Sequence, residues 1–351
     1  MIRLLVVDDS ALMRKCLVDL FGKKLDFELR TARNGADALR ELETFKPDVI
    51  TLDINMPEMD GLTCLSHIMQ IHPCPVVMVS SLTTKGALAT FEALALGAVD
   101  FVGKPDGTMS LNLDSVAREL EIKVRAAVGS KVRGSSNRPT VERAVGKAAP
   151  APTRTAKRGT AAGIVMIGVS TGGPQTLELI LPKLPADFPW PVVVAQHMPS
   201  GFTKSFAERL DRMSALNVVE VSRQLPVVPG TVYIARGDAD MTLVKRGDEI
   251  IAAPRPSSTS YLWHPSVDGL VYSALEVAPA SSLIGVLLTG MGNDGAKSMA
   301  QVKERGGRTI AESQSSCVVF GMPNELIKLG GSTLVLDAAR IAQQLVIWLR
   351  N

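Results

Sequence analysis

Five short β-branched runs alternate with amphipathic stretches over residues 1–125, and that alternation leaves few folds open. The runs are Leu4–Val7, Leu29–Ala32, Val49–Leu52, Val76–Val79 and Val99–Val102, with helical spacing between them at Ala36–Glu43 and Leu62–Ile71. Parallel neighbours need a crossover, and a helix is the usual one. Five strand–helix repeats therefore predict a doubly wound α/β domain on a five-stranded parallel sheet. In such sheets the working residues gather beyond the carboxyl ends of the strands.

From Gly129 to Thr160 the alternation stops. Lys131, Arg133, Arg138, Arg143, Lys147, Arg154, Lys157 and Arg158 stand there against the single acid Glu142, among Ala, Pro, Ser and Gly. Such a stretch buries little apolar surface, so a flexible linker is expected. No aromatic residue accompanies the charges, which argues against a nucleic-acid-binding tail. Strand-like runs resume at Ile164–Val169, Val192–Gln196, Val232–Ala235 and Leu283–Thr289. Met241–Lys245 and Glu249–Ala253 flank the turn Arg246-Gly247-Asp248 as a hairpin. The expected organisation is a first domain over 1–125, a basic linker over 126–160 and a second, mainly parallel α/β domain with a β-hairpin over 161–351.

Composition narrows the function classes. At 351 residues the chain is long enough for two cores. A net charge of +3, with much of the basic excess in the linker, excludes nucleic acid as the main partner. The four cysteines lack disulfide or metal-ligand spacing, which predicts free thiols in a reducing compartment. Met1-Ile2-Arg3-Leu4 leads straight into a strand, and no apolar run reaches membrane-spanning length. A cytoplasmic protein without membrane insertion is expected.

Two constellations carry chemistry. In the first half, Asp8 and Asp9 follow the first strand, Asp53 ends the third, Ser80 and Ser81 end the fourth, and Lys104-Pro105 follow the fifth. A parallel sheet brings all of them to one edge. Crowded carboxylates need a counter-charge, and oxygen donors call for a hard cation such as Mg²⁺. Asp53 can then attack a phosphoryl group, while Lys104 and the cation neutralise its oxygens and Ser80 hydrogen-bonds the product. Strand-end residues can simply cap helices, but this set at successive strand ends is hard to obtain by accident.

In the second half, Gly168-Val169-Ser170-Thr171-Gly172-Gly173-Pro174 satisfies the G-x-S-x-G pattern that exposes a serine at a strand-to-helix turn. The same loop could cradle an anion. The next strand ends in His197, a base for the serine, and a later one leads to Thr289-Gly290-Met291-Gly292-Asn293-Asp294-Gly295. There Asp294 can orient His197. Asp294 can also cap the helix beginning at Ala296. His264 is the competing base, and Asp268 or Asp240 the competing orienters. The order Ser, His, Asp differs from that of the α/β-hydrolase fold.

At the first constellation the chain resembles the response-regulator receiver family, which is flavodoxin-like. The resemblance rests on Val6-Val7-Asp8-Asp9-Ser10, on Asp53 through Met56-Pro57 to Asp60-Gly61, and on Gly97-Ala98 through Lys104-Pro105. It implies phosphorylation of Asp53 by a histidine kinase, with Asp8, Asp9, Asp53 and the carbonyl of Asn55 at Mg²⁺. It also implies Ser80, Phe101 and Lys104 as switch residues and a cis Lys104–Pro105 bond. The second half resembles the chemotaxis protein-glutamate methylesterases. Here the resemblance rests on Gly168–Gly173, Gln196-His197-Met198-Pro199, Leu288–Gly295 and Ser316–Pro323.

That second resemblance implies a serine hydrolase with Ser170 as nucleophile, His197 as base and Asp294 as its partner. Thr171 and the backbone N–H of Met291 would lie at the oxyanion and substrate. It implies hydrolysis of glutamate γ-methyl esters on methyl-accepting chemotaxis receptors without a further cofactor, with glutamine deamidation as a secondary activity. A receiver in front implies activation by phosphorylation, most simply by uncovering the active-site cleft. The chain departs from the family pattern where Trp263-His264-Pro265-Ser266 stands for His-Arg-Pro-Ser, and where Asp240 replaces the histidine of Gly-Asp-x-His-Met. A phosphorylation-dependent binding protein is the rival reading. A transcription regulator is disfavoured by the absence of a helix-turn-helix pattern.

Overall fold

The computed structural model describes residues 1–81, 83–104, 113–130 and 162–350. The chain divides into two compact units, Met1–Gly146 and Lys147–Asn351. Most of the expected linker and Pro105 lie outside the described residues.

In the first unit, β1 (Ile2–Val7), β2 (Phe27–Ala32), β3 (Val49–Asp53), β4 (Val76–Ser80) and β5 (Asp100–Gly103) form one parallel sheet in the order β2-β1-β3-β4-β5. Helices α1 (Ala11–Gly22), α2 (Gly35–Phe45), α3 (Gly61–Ile71) and α4 (Thr84–Leu96) alternate with the strands, and α5 (Leu113–Val128) follows. This is the doubly wound order expected from the sequence. β3 and β4 are buried at every residue, as strands covered on both faces must be. Side chains at the helix starts take up free backbone donors: Ser10 accepts from Met13, Asn34 from Asp37 and Asp60 from Thr63. The topological switch falls between β1 and β3, which pair directly. It places Asp8 and Asp53 side by side.

In the second unit, seven parallel strands run in the order β15-β14-β13-β6-β7-β10-β8. They are β6 (Ile164–Val169), β7 (Val192–Gln196), β8 (Asn217–Val221), β10 (Thr231–Ala235), β13 (Leu283–Leu287), β14 (Arg308–Glu312) and β15 (Leu334–Leu336). The expected hairpin is β11 (Ala239–Arg246) with β12 (Glu249–Pro256), and the two-residue β9 (Leu225–Pro226) makes it a three-stranded antiparallel sheet. β8, β9, β14 and β15 were not read from the sequence. β8 and β15 are edge strands with partly exposed residues, and β14 begins and ends on charged residues. None of them has the continuous apolar run that marks a central strand.

Helices α6 (Gly173–Ile180), α7 (Ser200–Met213), α8 (Val267–Val277), α9 (Ala296–Glu304), α10 (Met322–Lys328) and α11 (Ala338–Arg350) complete the unit. The sheet's apolar interior runs from Ile164 and Met166 on β6 to Val193 on β7, Leu283 and Leu287 near β13, and Leu270 and Val271 on α8. β6 enters at the centre, and the chain builds outward to β7 and later, on the other side, to β13. The second switch point therefore lies at the carboxyl ends of β6 and β13.

All three tryptophans, Trp190, Trp263 and Trp348, belong to the second unit. Its unfolding is thus readable by intrinsic fluorescence in the full-length protein. Phe206 on α7 is fully buried. Phe206→Ala is expected to lower the stability of this unit by about 3–5 kcal/mol in urea titrations followed by fluorescence. A loss under about 1 kcal/mol would contradict its place in the core.

Candidate active site

Ser170 follows β6, and its backbone N–H donates to Thr289 O at 2.9 Å, which ties the serine turn to the end of β13. Gly173 N–H donates back to Ser170 O at 2.8 Å, closing a tight turn into α6. Gly172 sits in that turn at φ +78°, where a side chain would be strained and would also strike Val318. Gly290 lies against the serine: a Cβ there would stand 2.6 Å from Ser170 Cβ. Met291, the expected oxyanion donor, is the next residue. Ser170 and Thr171 are largely buried.

His197 follows β7, the neighbour of β6, and its backbone N–H donates to Val169 O at 3.1 Å. Gln196 clamps the two strand ends. Its amide donates to Ser170 O at 3.0 Å and to His197 O at 3.1 Å. The His197 ring meets Asp294 through Nε2, 2.8 Å from Oδ2. Nδ1 is buried and has no hydrogen-bond partner among the described residues. A carboxylate only accepts, so in neutral imidazole Nε2 carries the hydrogen and Nδ1 presents the lone pair. The ring nitrogens thus exchange the places they hold in the chymotrypsin-type triad, where the acid holds Nδ1.

Asp294 corrects one expectation. It does not cap α9, whose N-cap is Gly295. Its carboxylate instead faces the start of α8, accepting N–H groups from Val267 at 2.7 Å and Asp268 at 2.9 Å, and the Ser266 hydroxyl at 3.3 Å. Free N–H groups and the helix dipole suit an anion there. Burial pushes the Asp294 carboxyl up, but His197 and the two backbone donors outweigh it and hold it below the usual carboxylate range. It is therefore ionised beside the imidazole at neutral pH.

The competing residues form a second pair. His264 Nδ1 lies 2.9 Å from Asp240 Oδ1, and Asp240 also accepts from the backbone of Ser258 and Ser266. Asp268 is spent on α9, where it accepts from Ser298 N–H at 3.2 Å. Among the described residues, the carboxylate hydrogen-bonded to the His197 ring is Asp294.

Thr289 and Glu312 went unrecognised as site residues. The buried Thr289 hydroxyl donates to Thr171 O at 2.9 Å and accepts from Val318 and Val319 N–H at 3.1 and 2.9 Å. It joins the serine turn, the Met291 loop and the late Val318–Gly321 loop. Glu312, fully buried at the end of β14, accepts from Thr289 N–H at 2.8 Å and from the Ser316 hydroxyl at 2.8 Å. The strand-end logic that found Asp53 could have found Glu312, had β14 been recognised.

In the first unit, Asp8 and Asp53 are buried and Asp9 is exposed. One carboxylate oxygen from each lies within 4.8 Å of the others. Lys104 Nζ stands 2.8 Å from Asp53 Oδ2 and 3.0 Å from Asp8 Oδ2. Both contacts are ion pairs of the ammonium with buried carboxylates. Burial pushes the Asp53 carboxyl up, and Asp8 adds to this against the pull of Lys104. Asn55 N–H approaches Asp53 Oδ1 at 3.4 Å. The Ser80 hydroxyl is buried and turned toward Gly86 O on α4, 3.3 Å away. Phe101 is buried, with Lys123 Nζ 5.2 Å from its ring centre.

Thr289→Val removes the acceptor of two loop N–H groups and the donor to Thr171. The expected cost is about 2–4 kcal/mol, measurable by the same fluorescence titration. An unchanged midpoint would show that the loops hold without this hydroxyl.

Two family descriptions match the chain: CheB methylesterase over residues 165–345 and response regulator receiver domain over residues 4–112. The chain is 56% identical to protein-glutamate methylesterase/protein-glutamine glutaminase 3 of Rhodospirillum rubrum, across 99% of this chain and 96% of that protein. It is 45% identical to the protein-glutamate methylesterase/protein-glutamine glutaminase of Archaeoglobus fulgidus, across 99% and 98%. The crystal structure of the Thermotoga maritima CheB methylesterase catalytic domain is similar at 45% identity and a TM-score of 0.51, covering 53% of this chain and 98% of that one. With the catalytic-domain match, the receiver match and relatives aligned nearly end to end, the chain belongs to the CheB methylesterase family.

Proposed function

We propose that this protein hydrolyses glutamate γ-methyl esters on methyl-accepting chemotaxis receptors, releasing glutamate and methanol, and that phosphorylation of Asp53 raises the rate. The observation that carries the reading is the His197–Asp294 pair at 2.8 Å, made by residues that follow β7 and β13, the two strands flanking the one that leads to Ser170. Anion binding by the serine loop would need neither residue.

Ser170 Oγ attacks the ester carbonyl carbon, and its proton passes to Nδ1 of His197. The carbonyl π pair moves onto oxygen, where the N–H of Met291 receives it, with Thr171 beside the nucleophile. Collapse expels methanol, which takes the proton back from the imidazolium. Water then repeats the sequence on the acyl-enzyme and frees the glutamate. Asp294 holds the tautomer and balances the imidazolium charge. An amide passes through the same kind of tetrahedral intermediate, so glutamine deamidation by the same residues is a second activity. The names of the relatives support it.

In the receiver unit, Asp53 takes phosphate from a histidine kinase. Asp8, Asp9, Asp53 and the carbonyl of Asn55 would hold Mg²⁺. The clustered carboxylate oxygens suit a hard cation. Mg²⁺ there would neutralise phosphoryl charge. Lys104 pairs with the acids, and Ser80 and Phe101 act as the switch. Among the described residues no helix is long and apolar enough to cross a membrane. The four free cysteines support a cytoplasmic setting.

Methanol release from methylated receptor membranes tests this, with and without a small phosphodonor and Mg²⁺. Ser170→Ala is expected to lose a factor on the order of 10⁵–10⁶ in kcat, and Asp294→Asn on the order of 10⁴. Asp53→Asn should keep basal release and lose the response to phosphodonor. Wild-type protein that is folded and phosphorylated yet releases no methanol would overturn the esterase reading in favour of a binding module.

A further inference from the structure

The three departures from the family pattern converge on one cluster at the base. The indole of Trp263 lies over the imidazole of His197, with ring centroids 5.5 Å apart and planes within 12° of parallel. Its Nε1 stands 3.6 Å from where a Cβ on Gly292 would be, so the ring reaches the loop just past Met291. The segment carrying it is fastened to a single carboxylate. Asp240, 5% exposed, accepts from Ser258 N–H at 3.0 Å, His264 Nδ1 at 2.9 Å and Ser266 N–H at 2.8 Å. Asp240 and His264, the other two departures, thus hold the aromatic plate in place.

A hydrogen bond at Nε2 fixes one edge of the imidazole, yet the ring can still swing about its Cβ–Cγ bond. A stacked plate removes that freedom. Proton transfer from Ser170 also turns the imidazole into a cation, and an indole face attracts a cation. We propose that Trp263 is a positioning residue for the hydrolysis: its face fixes the plane of the His197 ring and stabilises the imidazolium formed when Ser170 gives up its proton. This rests on the roles of Ser170 and His197 given above.

Several ionisable groups sit on the elements that converge near the imidazole. Asp294 is on its edge, and Asp268 donates its N–H to Asp294. Tyr261 lies near Gly269, and Asp238 accepts from Ser200 at the start of α7. The His264–Asp240 pair adjoins Trp263, and Glu312 supports Thr289. None of these residues is replaced in the variants below, so a change in the pH profile reports the indole.

The test compares full-length wild type, Trp263→Phe and Trp263→Leu on methylated receptor membranes with phosphodonor, across pH. The leucine keeps the apolar cover but has no π face. Its kcat should fall about 5–20-fold with KM little changed. Loss of the cation's partner disfavours the protonated ring, so the acidic limb of the pH–rate profile should move to lower pH. The phenylalanine variant should lie between the two. In a Ser170→Ala background, the ring-current shift of the His197 Cε1–H signal should persist with Phe and vanish with Leu. Should the leucine variant not fold, the phenylalanine variant decides: kcat and acidic limb below wild type support the proposal, and equality overturns it. Leucine values equal to wild type, or phenylalanine values equal to leucine's, also overturn it. Release that does not need Ser170 would sink the underlying reading, while the NMR signal still decides the stacking.

Discussion

A carboxylate taken out of water has to be given back its hydrogen bonds, and how Asp294 recovers them organises much of the second unit. Its two oxygens accept from an imidazole, a hydroxyl and two backbone N–H groups at the start of α8. Those N–H groups would otherwise lack partners, as the first ones of every helix do. One buried ion therefore docks α8 onto the loop after β13 and draws the end of β7 to the same point. Removing such an ion leaves helix, loop and imidazole each with an unmet donor, which is why its effects cannot be divided cleanly between stability and chemistry.

The receiver unit solves the same problem differently. Its two buried acids end neighbouring parallel strands; Ser10 N–H at the start of α1 meets one oxygen of Asp8, and the charge of Lys104 meets both acids. An ammonium on a flexible stem is a point charge that tolerates rearrangement. Fixed backbone donors suit a site whose geometry must not change during turnover. A mobile ammonium suits one that must take in a phosphoryl group and a cation.

The parts legible in the sequence share one physical basis. Central parallel strands are buried on both faces, so β1, β3, β4, β6, β7 and β13 read as continuous apolar runs, and whatever polar residue follows each one stands out. Asp8, Asp53, Ser170, His197 and the Met291–Asp294 loop were found that way. β8, β14 and β15 lack that signature because edges and charged ends break the run, and Glu312 was lost with β14. The direction in which Asp294 points was not legible either. An Asp just before a helix is the usual sign of an N-cap, and only the tertiary fold reveals that a different helix start, 27 residues earlier at Val267, claims it. Trp263 was visible as a departure, but stacking is a relation between distant residues that no local pattern encodes.

The proposed serine hydrolysis would demand that nucleophile and oxyanion donor keep their spacing, and backbone bonds tie together the loops that carry Ser170 and Met291. Ser170 N–H is held by Thr289 O, Gly290 N–H by Val319 O, and Gly290 O by the N–H groups of Gly321 and Met322. Thr289 joins these loops through its hydroxyl, and Glu312 fixes Thr289 from beneath. Main-chain bonds in a buried setting lose little side-chain entropy, so these loops are held together at small cost. The imidazole has more side-chain torsions to fix than the serine hydroxyl. It is also the one given contacts on both edge and face, from Asp294 and Trp263. Restraint in this site is therefore heaviest where the chain would otherwise be freest.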